Sequence, residues 1–190
     1  MGAPACNSAP ETVADGTQPG EPATTASTVS ATDLAPPTTL PPLSDPGLGG
    51  SRQTAVPLGQ TVDVGAWRVG VSNSVLDATE LIMEVVNFNA PPEPGNQYLL
   101  VELTGIYQGD APSQPVFAWK LVTPESEFVP DGPECGIVPN SIYDLGELGN
   151  GDQFEGTICF ELPTAAVSED LLLTLGLFDT RGDELFFALS

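Results

Sequence analysis

Residues 152–163, which read DQFEGTICFELP, alternate between apolar and polar side chains. The apolar set is Phe154, Gly156, Ile158, Phe160 and Leu162, and the set between them is Glu155, Thr157, Cys159 and Glu161. A period of two with one apolar side predicts a β-strand that buries one face. Asn150 and Gly151 in front favour a turn, and Pro163 ends the hydrogen-bonding ladder behind. Because Cys159 falls on the polar side, any partner for it must lie across the outside of the sheet.

Strand patterns of the same kind recur along the rest of the chain. They cover two short segments on either side of Gly65 and Ala66, and residues 80–88, 96–108, 116–122, 170–179 and 184–190. Gly, Pro, Asn and Asp residues between these segments predict turns, including one at residues 180–183. About eight or nine short strands with no convincing helix are typical of an all-β fold, an antiparallel β-sandwich.

The amino-terminal part of the chain has a different composition. Residues 1–56 contain no aromatic residue, whereas every aromatic side chain of the 190-residue chain lies between Trp67 and Phe187. A segment built mainly from Ala, Thr, Pro, Ser and Gly cannot bury enough apolar surface to offset the entropy of ordering it. The sequence therefore predicts a long disordered tether over residues 1–56, followed by one β-sandwich over residues 57–190.

The charge balance excludes several classes of partner and chemistry. The chain has 26 acidic and 4 basic residues and no histidine, for a formal net charge of −22. The chain has too few basic side chains to neutralise the phosphates of a nucleic acid. For the same reason it would not dock electrostatically on anionic lipid. Without histidine, the chain has neither the usual base of a nucleophilic triad nor the imidazole ligands of a typical zinc site. We expect a protein that is not an enzyme and needs no cofactor.

Three cysteines divide into a pair and a single residue. Cys135 and Cys159 lie in the predicted sandwich, and the Pro- and Gly-rich loop that carries Cys135 can cross the outer face to which Cys159 points. We therefore predict a disulfide between them, which implies an oxidising compartment. A redox-active pair is disfavoured because the CxxC spacing is absent.

Cys6 follows Ala3, Pro4 and Ala5, small residues that resemble the end of a bacterial lipobox. Lipidation of Cys6 would anchor the chain to the outer face of a cell membrane, with the polar segment after it as a tether. The alternative is an unmodified thiol. No apolar run reaches the ~18 residues of a membrane span, so we expect contact with a membrane only through a lipid.

Four stretches carry a family resemblance: NQYLLVELTGIYQGDAP, FAWKLVTPESEFVP, LGELGNGDQFEGTICFELP and LLLTLGLFD. Their order resembles a domain-of-unknown-function family of secreted lipoproteins of the actinobacterial type, similar to the immunogenic secreted protein of mycobacteria. Gly156, Phe160 and Pro163 fit the last strand motif of that family, whereas residues 124–126 replace its Asp-Gly turn. The resemblance implies an immunoglobulin-like sandwich and supplies no catalytic residue.

Acidic turns leave a metal site open as an alternative. Asp144, Glu147 and Asp152 lie around the turn at Asn150 and Gly151, and hard oxygen ligands on turns suit Ca²⁺. Solvated acidic turns would look the same, so these three residues are weak candidates. A hydrolase that uses paired carboxylates is a further alternative.

The sequence as a whole favours an extracytoplasmic, anchored or secreted module for binding or adhesion. Sandwiches place recognition on their end loops, here residues 89–96 and 130–139. The expected partner is an extracellular protein or an envelope ligand, and the expected state is a monomer. A passive structural component of the envelope is the alternative.

Overall fold

Eight strands form two four-stranded antiparallel sheets in the computed structural model, which describes residues 47–130, 135–176 and 184–190. The first sheet contains β1 (Thr61–Val64), β2 (Trp67–Val75), β3 (Asn96–Tyr107) and β6 (Gln153–Pro163). The second contains β4 (Ala118–Val122), β5 (Glu127–Phe128), β7 (Leu172–Gly176) and β8 (Glu184–Ala188). One α-helix, α1 (Thr79–Val85), and three short 3-10 turns, Arg52–Thr54, Ile142–Asp144 and Thr164–Ala166, complete the described elements.

The strand order is that of an immunoglobulin-like sandwich. It reads β1-β2-β3-β6 in one sheet and β5-β4-β7-β8 in the other, so the chain crosses between sheets after β3, β5 and β6. Strands that return to a sheet beside an earlier, non-consecutive neighbour are typical of the Greek-key connections of this fold. The predicted all-β immunoglobulin-like β-sandwich is confirmed.

The strand at residues 152–163 is confirmed as β6, with the predicted face buried. Phe154, Ile158, Phe160 and Leu162 all lie in the core between the sheets. Burying a side chain of this size stabilises the fold by about 1.5–3 kcal/mol. Gly156 on the same face has no side chain because Ile142 occupies that space: a Cβ there would lie 3.1 Å from the Ile142 Cα.

Aromatic side chains from both sheets fill one end of this core. Trp67 packs against Tyr107, Phe117 and Phe154, with ring centroids 4.4, 5.4 and 5.8 Å away. The pairs with Phe117 and Phe154 are edge-to-face, and such pairs add about 0.5–1.5 kcal/mol beyond their buried area. The aromatic residues, which are confined to the chain after residue 56, thus join the two sheets.

The packed part of the chain begins upstream of residue 57. Val56 is fully buried and forms a parallel bridge to Phe187, so it lies along the outer edge of β8. Its N–H donates to the Phe186 carbonyl at 2.7 Å, and its carbonyl accepts from the Ala188 N–H at 2.8 Å. Residues just before the predicted boundary therefore cover a strand edge.

The prediction of a strand over residues 80–88 is wrong, because the chain forms α1 there. Ala78 and Ile82, four residues apart, are both fully buried against Tyr98 and Leu100 on the outer face of β3. Side chains at this spacing share one side of a helix. Packing of that side on the sheet overrides the β-propensity of the Ile and Val residues in the segment.

The first sheet is consequently covered on both faces at one end. Tyr98 and Leu100, on the outer face of β3, are buried in a second, smaller cluster with Ala78, Ile82 and the two paired cysteines. The Ala78 N–H donates to the Tyr98 carbonyl at 2.7 Å, which fixes the start of α1 to β3. The outer face is therefore the place where loops, helix and sheet meet.

Candidate functional site

A disulfide joins Cys135 to Cys159, as predicted, with Cα atoms 6.2 Å apart. Cys159 lies on the outer face of β6, and the bond holds the loop after Cys135 across that face. Both residues are buried, at 1% and 5% exposed. By loop closure alone, a bond enclosing a loop of this length stabilises the fold by about 3 kcal/mol.

Asn89 holds the same loop from the other side. Its Nδ2 donates to the carbonyl of Ile82 at 2.7 Å and to that of Ile137 at 3.0 Å. Its Oδ1 accepts from the Ile137 N–H at 2.8 Å. This buried amide therefore ties the end of α1 to the disulfide-bonded loop.

Gly136 fits closely against that amide. Its φ of +69° lies in the left-handed region, and a Cβ at this position would collide with the Asn89 side chain. The loop can therefore adopt this path only with glycine next to Cys135.

Two adjacent clefts open on the outer face around this loop. The first, of about 350 Å³, is lined by Gly136, Ile137, Val138, Ser141, Tyr143, Asp144, Thr157 and Cys159. The second, of about 420 Å³, is lined by Ser72, Val75, Leu81, Leu100, Glu102, Leu103, Pro139, Asn140, Glu155, Gly156 and Thr157. We call the two clefts together the outer-face groove.

Thr157 lies under the loop and lines both clefts. Its N–H donates to the Asn140 carbonyl at 2.7 Å, and its hydroxyl donates to the Pro139 carbonyl. Ser141 pairs with Thr157 as a parallel bridge. The segment between the clefts is thus fixed to β6.

Large apolar side chains stand exposed around the groove. Leu81 of α1 is 42% exposed, Ile137 is 47% exposed and Tyr143 is 55% exposed. A phenol is protonated at neutral pH, and partial burial raises the pKa of Tyr143 further, so its hydroxyl is a hydrogen-bond donor. Apolar walls with a few polar groups are the usual lining of a binding site.

Two carboxylates lie on the floor of the second cleft. Glu102 is paired with Thr157 across the β3–β6 ladder, and Glu155 is paired with Thr104, so the two glutamates are diagonal neighbours on one face. Diagonal neighbours lie about 7–8 Å apart. In the described part of the chain, neither carboxylate has an ion pair.

The basic side chains of the described ranges are engaged elsewhere. Arg52 donates to the carbonyls of Val122 and Asp170. Arg68 is paired with Asp63 at 2.8 Å. Lys120 is paired with Glu127 at 3.2 Å and with Glu184 at 3.6 Å. None of these three basic side chains therefore balances the negative charge of the groove.

The predicted calcium ligands are not brought together as a metal site. Asp144 is exposed and lines the first cleft, and Glu147 is exposed in the following loop. Asp152 Oδ2 instead accepts from the Gly149 N–H at 2.7 Å, which closes the turn before β6. Over residues 47–130, 135–176 and 184–190, no group of three His, Cys, Asp or Glu residues is placed to hold a metal ion.

Other predicted features fall partly or wholly outside the described residues. Cys6 and the turn at residues 180–183 lie outside them, as do residues 131–134 of the predicted contact loop. Residues 136–139 of that loop do line the groove. Among the described helices, none is both long and apolar enough to cross a membrane.

Sequence reasoning misses the residues that build the groove walls. It places Asn89 in an end loop, and nothing about an Asn before prolines indicates a buried clamp. It places Leu81 on a strand. The signal that could have corrected this is the i, i+4 pair Ala78 and Ile82, which is the mark of a helix side rather than a strand face.

The fold and the site define a disulfide-containing β-sandwich with a groove on one outer face. Its structure is similar to an uncharacterized β-sandwich protein from Clostridium difficile 630, with 10% identity, a TM-score of 0.45, and coverage of 72% of this chain and 95% of that one. A conserved hypothetical protein from Bacillus anthracis aligns with 12% identity and a TM-score of 0.43, over 68% of this chain and 94% of that one.

A third similar structure is a candidate lipoprotein, YcdA, from Bacillus subtilis, with 11% identity and a TM-score of 0.40. The alignment covers 67% of this chain and 37% of that one. No protein-family model matches this sequence. No curated protein matches it either.

Proposed function

We propose that this protein is an extracytoplasmic module that binds an envelope or extracellular ligand through the outer-face groove, without catalysis. The observation that carries the proposal is the groove itself, in which exposed Leu81 and Ile137 stand on walls fixed by a disulfide and by Asn89. Exposed apolar side chains on a rigid frame favour binding because little entropy is lost on contact. A passive envelope component would have no need of such walls.

The disulfide supports the extracytoplasmic location, since such bonds persist in oxidising compartments. Lipidation of Cys6, a tether formed by the chain before the sandwich, and membership of the actinobacterial-type lipoprotein family complete the proposal. Intact mass and detergent partitioning of the full-length product from its own host test the anchor. We expect a diacylglyceryl-sized addition at Cys6, and an unmodified Cys6 would contradict it.

Site-specific photocrosslinking in the native host tests the binding surface. A photoreactive residue replaces Leu81 or Ile137 in the full-length chain, and the same residue at Val129 serves as the control. Val129 is 58% exposed beside the second sheet, so it is more accessible than either groove position. We expect an adduct of one defined mass from the groove positions alone. Equal adducts from all three positions, or none from the groove, would contradict the proposal.

A further inference from the structure

We infer that the occupant of the outer-face groove is a cationic amphipathic peptide segment, in which lysine or arginine alternates with apolar residues. This inference rests on the proposed function and specifies its partner. The second cleft combines two features: an apolar wall at Leu81, and carboxylates on the floor at Glu102 and Glu155. A purely apolar ligand or a bare ion would match only one of them.

The two glutamates provide the first argument. They share one face of adjacent strands, where Glu102 is partly buried and Glu155 is exposed. Like charges on diagonal neighbours of one face repel each other. A cation bound between them relieves the repulsion. The basic side chains of the described ranges are already held by Asp63, Glu127, Glu184 or backbone carbonyls, so none of these side chains supplies that cation.

The apolar walls provide the second argument. A bare metal ion would leave Leu81 exposed to water, and the described residues contain no group of three carboxylates to hold such an ion. An aliphatic ligand would leave the glutamates without a counter-charge. A long basic side chain satisfies both features, because its methylene stem lies along apolar surface while its charged end reaches a carboxylate.

Charge also decides against the two occupants supplied by the chain itself. Residues 1–46 contain acidic residues and no lysine or arginine. A second copy of the chain has the same net charge of −22. Both would be repelled from an acidic groove, whereas electrostatic complementarity would steer a basic segment towards it.

Binding of defined peptides to the full-length protein tests the inference. The probe is a short peptide of alternating lysine and leucine. A lysine–serine peptide of equal charge and a glutamate–leucine peptide of equal apolar content are the controls. We expect the lysine–leucine peptide to bind most tightly by calorimetry and to shift the backbone NMR signals of Glu102, Thr157 and Leu81. Binding should weaken as salt is added.

Matched variants separate a specific site from general attraction to a polyanion. The double variant E102Q/E155Q removes two charges from the groove, and E125Q/E169Q removes two exposed charges elsewhere. We expect E102Q/E155Q to weaken binding of the lysine–leucine peptide by about tenfold, and E125Q/E169Q to change it by less than about twofold. L81S should also weaken binding. Thermal melts verify that each variant is folded.

Three results would overturn the inference. Equal weakening by both double variants would mean diffuse attraction to the acidic surface rather than a site. Absence of binding, or equal binding of the lysine–serine peptide, would mean that the groove does not recognise a cationic amphipathic segment. If crosslinked adducts still form from Leu81 in that case, the proposed binding function stands with a partner of different chemistry.

Discussion

The amide of Asn89 and the backbone of Ile137 are hydrogen bonded in both directions, with the Ile137 N–H donating to Oδ1 at 2.8 Å and Nδ2 donating to the Ile137 carbonyl at 3.0 Å. The same Nδ2 donates to the Ile82 carbonyl at 2.7 Å. One side chain thus satisfies three backbone groups from two segments that lie 48 and 7 residues away from it in sequence. The shape of the groove depends on this contact.

Asn89→Asp tests how much the hydrogen bonds of the Asn89 side chain contribute to stability. The substituted carboxylate keeps the shape of the side chain but cannot donate to either carbonyl, and it places a charge in a buried position. We expect the free energy of unfolding to fall by about 3 kcal/mol, measured by urea denaturation. Asn87→Asp, at an exposed position two residues away, is the control and should leave stability nearly unchanged. Equal effects of the two substitutions would contradict a stabilising role for the Asn89 hydrogen bonds.

Gly136→Ala tests the path of the disulfide-bonded loop. The left-handed conformation at Gly136 and the collision of a Cβ with Asn89 both oppose a side chain. We expect a loss of at least about 1–2 kcal/mol in the free energy of unfolding. Gly146→Ala is the matched control, because a Cβ at that position would meet no atom within 4 Å and the φ of Gly146 is not left-handed. That substitution should be neutral or stabilise slightly, by up to about 1 kcal/mol.

Removal of the disulfide should lower stability without abolishing the fold. The double variant C135A/C159A loses the loop constraint, and we expect its free energy of unfolding to fall by about 3 kcal/mol. The second cluster around Ile82 and Tyr98 should keep the loop near the sheet. Cys6→Ser is the control and should have no effect. In the native protein the bond should resist a reductant until denaturant is added, because both cysteines are buried.

The alkaline titration of Lys120 tests its ion pair with Glu127 on the second sheet. A hydrogen bond to Glu127, and then the charge of Glu127, raise the pKa of Lys120 above its usual value. The stability contributed by this pair is therefore fully present below the unfolded pKa of about 10.4, and is lost as the pH rises through the folded pKa.

The measurement uses ¹⁵N-lysine labelling, and assignment is direct because Lys120 is the only lysine of the chain. Glu127→Gln should lower the pKa of Lys120 further than Glu184→Gln, since Glu127 forms the closer contact, at 3.2 Å rather than 3.6 Å. A pKa that is the same in both variants would show that the hydrogen bond is not the main cause.

The sandwich could be predicted from sequence wherever one face of a strand is buried and the other is polar. In β6, Phe154, Ile158 and Phe160 alternate with Glu155 and Thr157, so the period of two can be recognised from the sequence alone. The same alternation places Cys159 on the outside and so locates its partner. These inferences need only local order, since a strand fixes the direction of each side chain by itself.

The groove could not be predicted in the same way, because its residues are fixed by contacts between distant segments. Ile82 has the β-propensity of a strand residue, and only its packing on Tyr98 and Leu100 explains the helix. Asn89 and Gly136 lie 47 positions apart and meet through the disulfide-bonded loop. Val56 also belongs with Phe187 at the other end of the chain. Contacts between residues so far apart produce no periodic pattern in the sequence, so they could not be predicted from it.

The outer edges of β6 and β8 each carry a bridge from another segment of the chain, formed by Ser141 on β6 and by Val56 on β8. An unpaired strand edge is a template on which strands of other molecules can add, and proteins avoid this by covering such edges or keeping them short. The edges that remain, β1 and β5, are four and two residues long. We therefore expect the domain to resist intermolecular sheet extension, and to stay dispersed even where many copies are crowded together.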